Sequence, residues 1–287
     1  MIGSTTLRHK DDDRLGCAGL GPRKIEHVAL MGLDLAPLTE AETIEFVLEA
    51  LEGGRGGWIC PVNLDVLRQI VDSGELRELV SSADLIVADG MPLVWAAHLQ
   101  GTPLPERVAG STLILTLSEE LGRHGRSVYL LGGNEGTAQA AGVRLQETLA
   151  GFRLAGWFCP PLGFEHSAEQ LELITTHLKG AEPDVVFVGL GFPKQDRLIA
   201  QLRRLLPRAW FVSCGISLSF LVGEVHRAPR AMQVLGLEWT HRLAQEPTRL
   251  TKRYLIHGLP FAARLAASSV YRRRSNMAQR DSLTADL

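Results

Sequence analysis

Asp89 stands in Ala88-Asp89-Gly90-Met91-Pro92, directly after the apolar run Leu85-Ile86-Val87-Ala88. A carboxylate at the end of a buried strand, beside a glycine that permits close approach, is suited to general-base work. Partial burial raises its pKa toward the working range. The alternative is a cap for the helix that begins near Pro92, and spacing by itself does not separate the two. Four further turns carry groups that could join it. In Cys60-Pro61-Val62-Asn63, Asn63 either hydrogen-bonds a sugar hydroxyl or caps the next helix. In Glu106-Arg107-Val108-Ala109-Gly110, Arg107 has the fork that grips phosphate, or is simply a solvated loop arginine.

The last two turns are built on glycine. Leu131-Gly132-Gly133-Asn134-Glu135-Gly136 runs from a strand through glycines to a helix, the arrangement that offers backbone amides to phosphate. Its spacing is not the dinucleotide fingerprint, and no strand-end acid follows about twenty residues later. Gly189-Leu190-Gly191-Phe192-Pro193-Lys194-Gln195-Asp196 sets Lys194 and Gln195 in a first helical turn, facing the same rim as Asp89. Its bland reading is a plain strand-to-helix turn. Metal chemistry has little support: the nine histidines show no H-x-x-H or H-E-x-x-H spacing, and the Asp11-Asp12-Asp13 run lies in a polar leader. Without a metal, a departing diphosphate must be neutralised by Arg, Lys or helix dipoles.

These turns need a scaffold that brings strand ends together. After Gly57 the chain repeats apolar strand, turn and helix. Strands are expected at Trp58–Val62, Leu85–Ala88, Ser127–Leu131, Arg153–Phe158, Asp184–Gly189 and Ala209–Cys214. Helical patterns fill 64–80, 91–99, 111–124, 135–149, 167–179 and 194–205. Runs such as Val185-Val186-Phe187-Val188 are apolar on both faces, as in parallel strands covered on each side. The fold class is therefore α/β, a Rossmann-like, mostly parallel sheet with helices on both faces. Lys24 to Leu35 reads as a strand or hairpin, and Thr39 with Glu42 as a capping box.

We divide the chain into a disordered leader (1–23), a catalytic domain (24–225), a helical basic appendage (226–275) and a loose tail (276–287). The formal net charge of -2 argues against wholesale nucleic-acid binding. It hides eleven Lys and Arg against two acids between Arg227 and Arg280, which points to a phosphate-rich or anionic-membrane partner for that end. Leu255, Ile256, Leu259, Phe261 and Leu265 among those cations have the composition of an interfacial segment. No uncharged apolar run reaches the length of a bilayer span, and the start has no signal-peptide core. Cys17, Cys60, Cys159 and Cys214 form no C-x-x-C pair and read as buried reduced thiols of a cytoplasmic protein.

In order, these turns and the tail resemble the WecG/TagA/CpsF glycosyltransferase family over about residues 58–254. The carriers are Asn63, Ala88–Pro92, Glu106–Gly110, Leu131–Gly133, Gly189–Gln195 and Arg227-Ala228-Pro229, then Gly236-Leu237-Glu238-Trp239, Arg242-Leu243, Glu246-Pro247, Arg249-Leu250 and Arg253-Tyr254. The resemblance implies a GT-E-like fold and an inverting, metal-independent transfer from a UDP-sugar to a polyprenyl-diphosphate-linked acceptor in cell-surface polysaccharide synthesis. N-acetylmannosamine, its uronic acid and glucose are donor sugars of that kind. It implies Asp89 as base, with Asn63, Arg107 and Gln195 beside it. It further implies that Gly132, Gly133, Gly189, Gly191, Lys194, Gly215, Arg242, Arg249, Lys252 and Arg253 bind substrate, the arginines closing over the site from an appendage that touches the inner face of the cell membrane. No cofactor is implied beyond the donor, and a homo-oligomer is left open. Departures are Pro61 for a frequent threonine, Asp196 for a glutamate, and Gly215-Ile216 for a Gly-Gly pair near the nucleotide. The rival reading is another Rossmann-type nucleotide-binding protein, either a dehydrogenase or non-catalytic.

Overall fold

The computed structural model describes residues 25–285, so the expected leader and the last two residues lie outside the described part. The chain opens with a hairpin, Val28–Leu30 (β1) against Leu33–Leu35 (β2), turned by Met31 and Gly32, both at positive φ. Two left-handed residues match the twist of a tight hairpin, and glycine takes the second without strain. Glu40–Glu52 (α1) follows a capping box: Thr39 Oγ1 accepts from the Glu42 amide at 3.1 Å, and the Thr39 amide donates to the Glu42 carboxylate at 2.8 Å.

The alternating part follows as Gly57–Val62 (β3), Leu64–Asp72 (α2), Gly74–Ser81 (α3), Leu85–Ala88 (β4), Met91–Gln100 (α4), Gly110–Arg123 (α5), Ser127–Gly132 (β5), Thr137–Thr148 (α6), Arg153–Phe158 (β6), Ala168–Ala181 (α7), Val185–Gly189 (β7), Lys194–Leu205 (α8) and Trp210–Ser213 (β8). All six expected strands are present. The single helix expected over 64–80 is two helices, because Ser73 leaves helical geometry and caps the second through its hydroxyl. The sheet is parallel throughout, in the order β4-β3-β8-β7-β5-β6. Side chains alternate across it. Trp58, Cys60, Val62, Tyr129, Leu131, Val186, Val188 and Phe211 enter one core, while Ile59, Val128, Leu130, Val185, Phe187, Trp210 and Val212 enter the other. Burial on both faces explains why these strands read as unbroken apolar runs.

Strand order decides where a ligand fits. From β5 the chain crosses outward to β6, and from β7 it crosses the other way to β8, so β5 and β7 are neighbours whose connections diverge. A crevice opens beyond the carboxyl ends of such a pair. Ser217–Val222 (α9) then leads to Arg230–Val234 (α10), Glu238–Gln245 (α11), Pro247–Thr251 (α12), a π-helical stretch Lys252–Gly258, and Leu259–Ala285 (α13). No strand occurs after β8 among the described residues. The tail expected to be loose from 276 is helical as far as Ala285. The interfacial reading of the appendage also needs division. Leu255, Ile256 and Leu259 are exposed, but Phe261 and Leu265 are buried in the core beside α4.

Candidate active site

The ends of β3 and β4 fix two of the expected residues. Val62 and Ala88 are paired in register, and the Asp89 amide donates to the Val62 carbonyl at 2.8 Å. Asn63 and Asp89 therefore leave the sheet side by side. Asn63 Oδ1 accepts from the amides of Asp65 and Val66, each at 3.1 Å, so its cap role is realised and only its amide nitrogen is left to reach a ligand. The cap reading of Asp89 fails. Gly90 occupies the N-cap of α4 with no side-chain bond, and among the described residues the Asp89 carboxylate accepts no hydrogen bond.

Asp89 is a carboxylate left free for chemistry. Loss of hydration raises its pKa to about 6, with Arg107, Arg227 and Arg242 opposing the rise and Glu238 adding to it. The loop that carries Arg107 is held next to Asp89, the Val108 amide donating to the Ala88 carbonyl at 2.9 Å. Arg107 is gripped from the appendage: Nη1 donates to Glu238 Oε2 at 2.8 Å and Nη2 to Gln233 Oε1 at 3.4 Å. Arg227 donates to Thr112 Oγ1 at 2.9 Å, at the start of α5.

The second part of the site is built from backbone. At the β5/β7 crevice the Gly133 amide donates to the Gly189 carbonyl at 2.9 Å. A Cβ on Gly132, whose φ is 113°, would come within 2.5 Å of that carbonyl oxygen. Gly132 thus packs behind the cavity instead of lining it, and its role is close approach. Gly191 and Gly215, at φ 78° and 55°, have open space where a side chain would begin. Gln195, buried in the first turn of α8, ties these two loops together, its Oε1 accepting from the Gly191 and Gly215 amides at 3.1 Å each. The cavity has a volume of about 550 Å³. Gly133, Gly189, Gly191, Lys194, Gly215 and Arg249 line it, together with Glu246, Glu224 and the Pro160–Phe164 turn.

Its charges are held in pairs. Lys194 Nζ bonds the Glu165 carboxylate, which lowers the Glu165 pKa. Arg249 Nε lies 2.6 Å from Glu246. Arg242 joins the two halves, since its charge is felt at Asp89 while its Nη2 lies 3.7 Å from Glu246. Lys252 and Arg253 do not line the cavity. Lys252 is exposed, and Arg253 Nε pairs with Asp65 at 3.0 Å, beside Asn63. Among the described residues there is no group of three His, Cys, Asp or Glu side chains that could hold a metal, and no helix long and apolar enough to cross a membrane.

Several participants were not singled out from the sequence. Glu238 and Gln233 meet Arg107 across more than a hundred residues, a pairing that spacing does not carry. Glu224 accepts from Thr137 and Ser219 hydroxyls and the Asn134 amide, bonds that hold its pKa down. Asp196 is fully buried behind Gln195. Its Oδ1 accepts from Ser213 Oγ at 2.8 Å, its Oδ2 has no hydrogen-bond partner among the described residues, and burial raises its pKa to about 7. The polar first turn of α8 was the available signal for it.

The model of the glycosyl transferase WecG/TagA/CpsF family matches residues 28–275. The chain is also similar to the N-acetylglucosaminyldiphosphoundecaprenol N-acetyl-beta-D-mannosaminyltransferase of Bacillus spizizenii, with 29% identity over 199 residues, 69% of this chain and 75% of that protein. A free rim carboxylate, a glycine-built crevice at the strand ends and a match over most of the chain lead to one conclusion: the chain belongs to the WecG/TagA/CpsF family of glycosyltransferases.

Proposed function

We propose that the protein transfers a sugar from a UDP-sugar to an acceptor carried on a polyprenyl diphosphate, with inversion and without a metal, in cell-surface polysaccharide synthesis. The observation that carries the proposal is Asp89, a carboxylate with no hydrogen-bond partner among the described residues and a pKa raised to about 6, at the same carboxyl edge of the sheet as a cation-bearing cavity. The similar Bacillus protein is named for transfer of a β-mannosaminyl group to a diphospho-undecaprenol acceptor, which supports both the acceptor class and a β product.

In this reading the nucleotide diphosphate lies in the open space beside Gly191 and Gly215, where the N-terminus of α8 and the Lys194 ammonium favour negative charge. The acceptor hydroxyl oxygen attacks the anomeric carbon as the bond to the diphosphate oxygen breaks. Asp89 takes the hydroxyl proton, and the departing UDP keeps the bonding electron pair. One carboxylate base suffices for a single displacement, so an α-linked donor gives a β-linked product. Lys194, Arg242 and Arg249 offset the charge that develops on the leaving group. Exposed Leu255, Ile256 and Leu259, among Arg253, Arg264 and Arg272, suit an interfacial contact that would hold the protein at the inner face of the membrane.

Two measurements test this. Incubation with a panel of UDP-sugars and a short-chain lipid diphosphate bearing N-acetylglucosamine should give a β-linked disaccharide with EDTA present. No transfer from any UDP-sugar, or transfer abolished by EDTA and restored by a divalent cation, would contradict it. For the membrane contact, Ile256→Asp with Leu259→Asp should release the protein from anionic vesicles in co-sedimentation. Unchanged binding would remove the interfacial role.

A further inference from the structure

We infer that Glu238 is a positioning residue for this reaction: with Gln233 it fixes the Arg107 guanidinium near Asp89 and so sets the charge that the base feels. The inference rests on the reading of Asp89 as the base. Three observations carry it. The first is the grip itself. Both terminal nitrogens of Arg107 are taken by appendage side chains, Nη1 by Glu238 at 2.8 Å and Nη2 by Gln233 at 3.4 Å. Gln233 is anchored in turn, its Nε2 donating to the Ala228 carbonyl at 2.7 Å. A guanidinium fork held at two points has its plane fixed, whereas a lone loop arginine wanders.

The second observation is how closely the appendage seats. Gly236, at φ 66°, lies so near α4 that a Cβ there would come within 2.6 Å of the Trp95 ring and 2.9 Å of Met91 Cβ. Met91 is two residues beyond Asp89 on the chain. The absent side chain lets the turn before α11 rest on the first turn of α4, which brings Glu238, two residues past Gly236, to the Asp89 rim. Glu238 also begins α11, where the helix dipole favours a negative charge.

The third is the balance of charge. The groups facing Asp89 are Arg107 from the loop before α5, Arg227 from the loop before α10, and Arg242 and Glu238 from α11. Glu238 is the only acid among them. It is partly buried, at 21% side-chain exposure, and committed to Arg107, which is 17% exposed. A pair so far withdrawn from water is screened much less than a surface pair. Among the described residues Asp89 accepts no hydrogen bond, and it stays available for the acceptor proton. Glu40 of α1 also acts on Arg107 and Arg227, but without Glu238 the three arginines would face Asp89 with no acid facing it beside them, and Arg107 would be free to turn toward it. Both changes make Asp89 a weaker base, and a weaker base removes a proton less well in the transition state.

The test uses the full chain, the lipid-diphosphate acceptor described above, and Glu238→Gln with Glu238→Asp. We expect Glu238→Gln to lower kcat about tenfold with donor KM changed less than about twofold. The acidic limb of the kcat/KM profile should move to lower pH by at least about half a unit, because the lost like charge no longer raises Asp89. Glu238→Asp should restore most of both. A carboxyl-carbon NMR titration, with the Asp89 signal assigned from its loss in Asp89→Asn, reads the same downward shift without turnover. Should Glu238→Gln not fold, Gln233→Leu, which frees only Arg107 Nη2, is read in the same way and should give a smaller kcat loss at unchanged KM. Wild-type kcat, pH limb and NMR midpoint in a folded Glu238→Gln protein would overturn the inference. The two readings fail separately. An active Asp89→Asn enzyme sinks the base assignment, whereas an inactive Asp89→Asn beside an unchanged Glu238→Gln sinks this inference alone.

Discussion

The glycine-lined cavity and the Asp89 rim share one edge of one sheet and are made by opposite means. The cavity is backbone work. Strands β5 and β7 end in Gly132 and Gly189, packed so closely that a single added carbon collides, while β8 turns through Gly215 into open space. Its shape follows from the sheet and from the side-chain amide oxygen of Gln195, which ties two loops. The rim is side-chain work, finished by residues borrowed from the appendage. Arg107 comes from one part of the chain and its partners from another more than a hundred residues on. The lesson is a division of labour. A donor diphosphate asks for a fixed, open floor beside positive charge, which a rigid sheet edge and the start of α8 supply. A base that must hold and release a proton asks for charges that can be set and reset, and these come from a segment docked over it.

The comparison breaks first on the backbone side. Gly132→Val places a branched side chain at φ 113°, with its Cβ 2.5 Å from the Gly189 carbonyl oxygen. We expect a loss of about 3 kcal/mol or more of stability, seen as a large fall in the thermal midpoint, together with loss of UDP binding. Retained stability would mean that the strand ends are not tightly coupled.

The next largest effect belongs to the rim. Arg107→Ala removes a positive charge from Asp89 and leaves Glu238 facing it. The pKa of Asp89 then rises above about 6, and the acidic limb of kcat/KM moves to higher pH, opposite in sign to the shift expected for Glu238→Gln. A fall of about 10- to 100-fold in kcat/KM at neutral pH should accompany it. Limbs that move the same way in both variants would contradict the charge balance drawn here.

The smallest effect separates the two halves most cleanly. Arg249→Ala removes a cavity cation whose side chain is 59% exposed and paired with Glu246. It should weaken UDP binding about threefold to tenfold, measured by calorimetry, and leave the pH limb in place. A shifted limb would show that the cavity and the rim are not independent.

The same division explains what the sequence disclosed. Strands such as Val185–Gly189 were legible because burial on both faces leaves a continuous apolar run, and the glycines at their ends marked the cavity. Asp89, Asn63 and Gln195 were legible as polar residues at strand ends, where chemistry in an open parallel sheet collects. Spacing could not say that Asn63 would spend its oxygen on a helix cap while Asp89 kept its own free. Nor could it say that Phe261 and Leu265 turn into the core when Leu255 and Ile256 do not, because the π-helical stretch at Lys252–Gly258 alters the helical phase between them. The pairing of Arg107 with Glu238 depends on how the appendage folds back. That is a tertiary fact with no local signature.

Asp89 is the base in the proposed reaction, and Asp89→Asn at pH 7.5 tests that role most directly. The folded pKa of about 6 lies above the ordinary value of 3.8, so the stability linked to this group is full below that lower value and is lost as pH rises through 6. Removing the charge should therefore leave the fold no less stable at pH 7.5, by about 0–3 kcal/mol in its favour, and UDP binding within a few-fold of wild type. Turnover should fall about 10²- to 10⁴-fold. A folded, UDP-binding Asp89→Asn protein that still turns over within a few-fold of wild type would contradict the account.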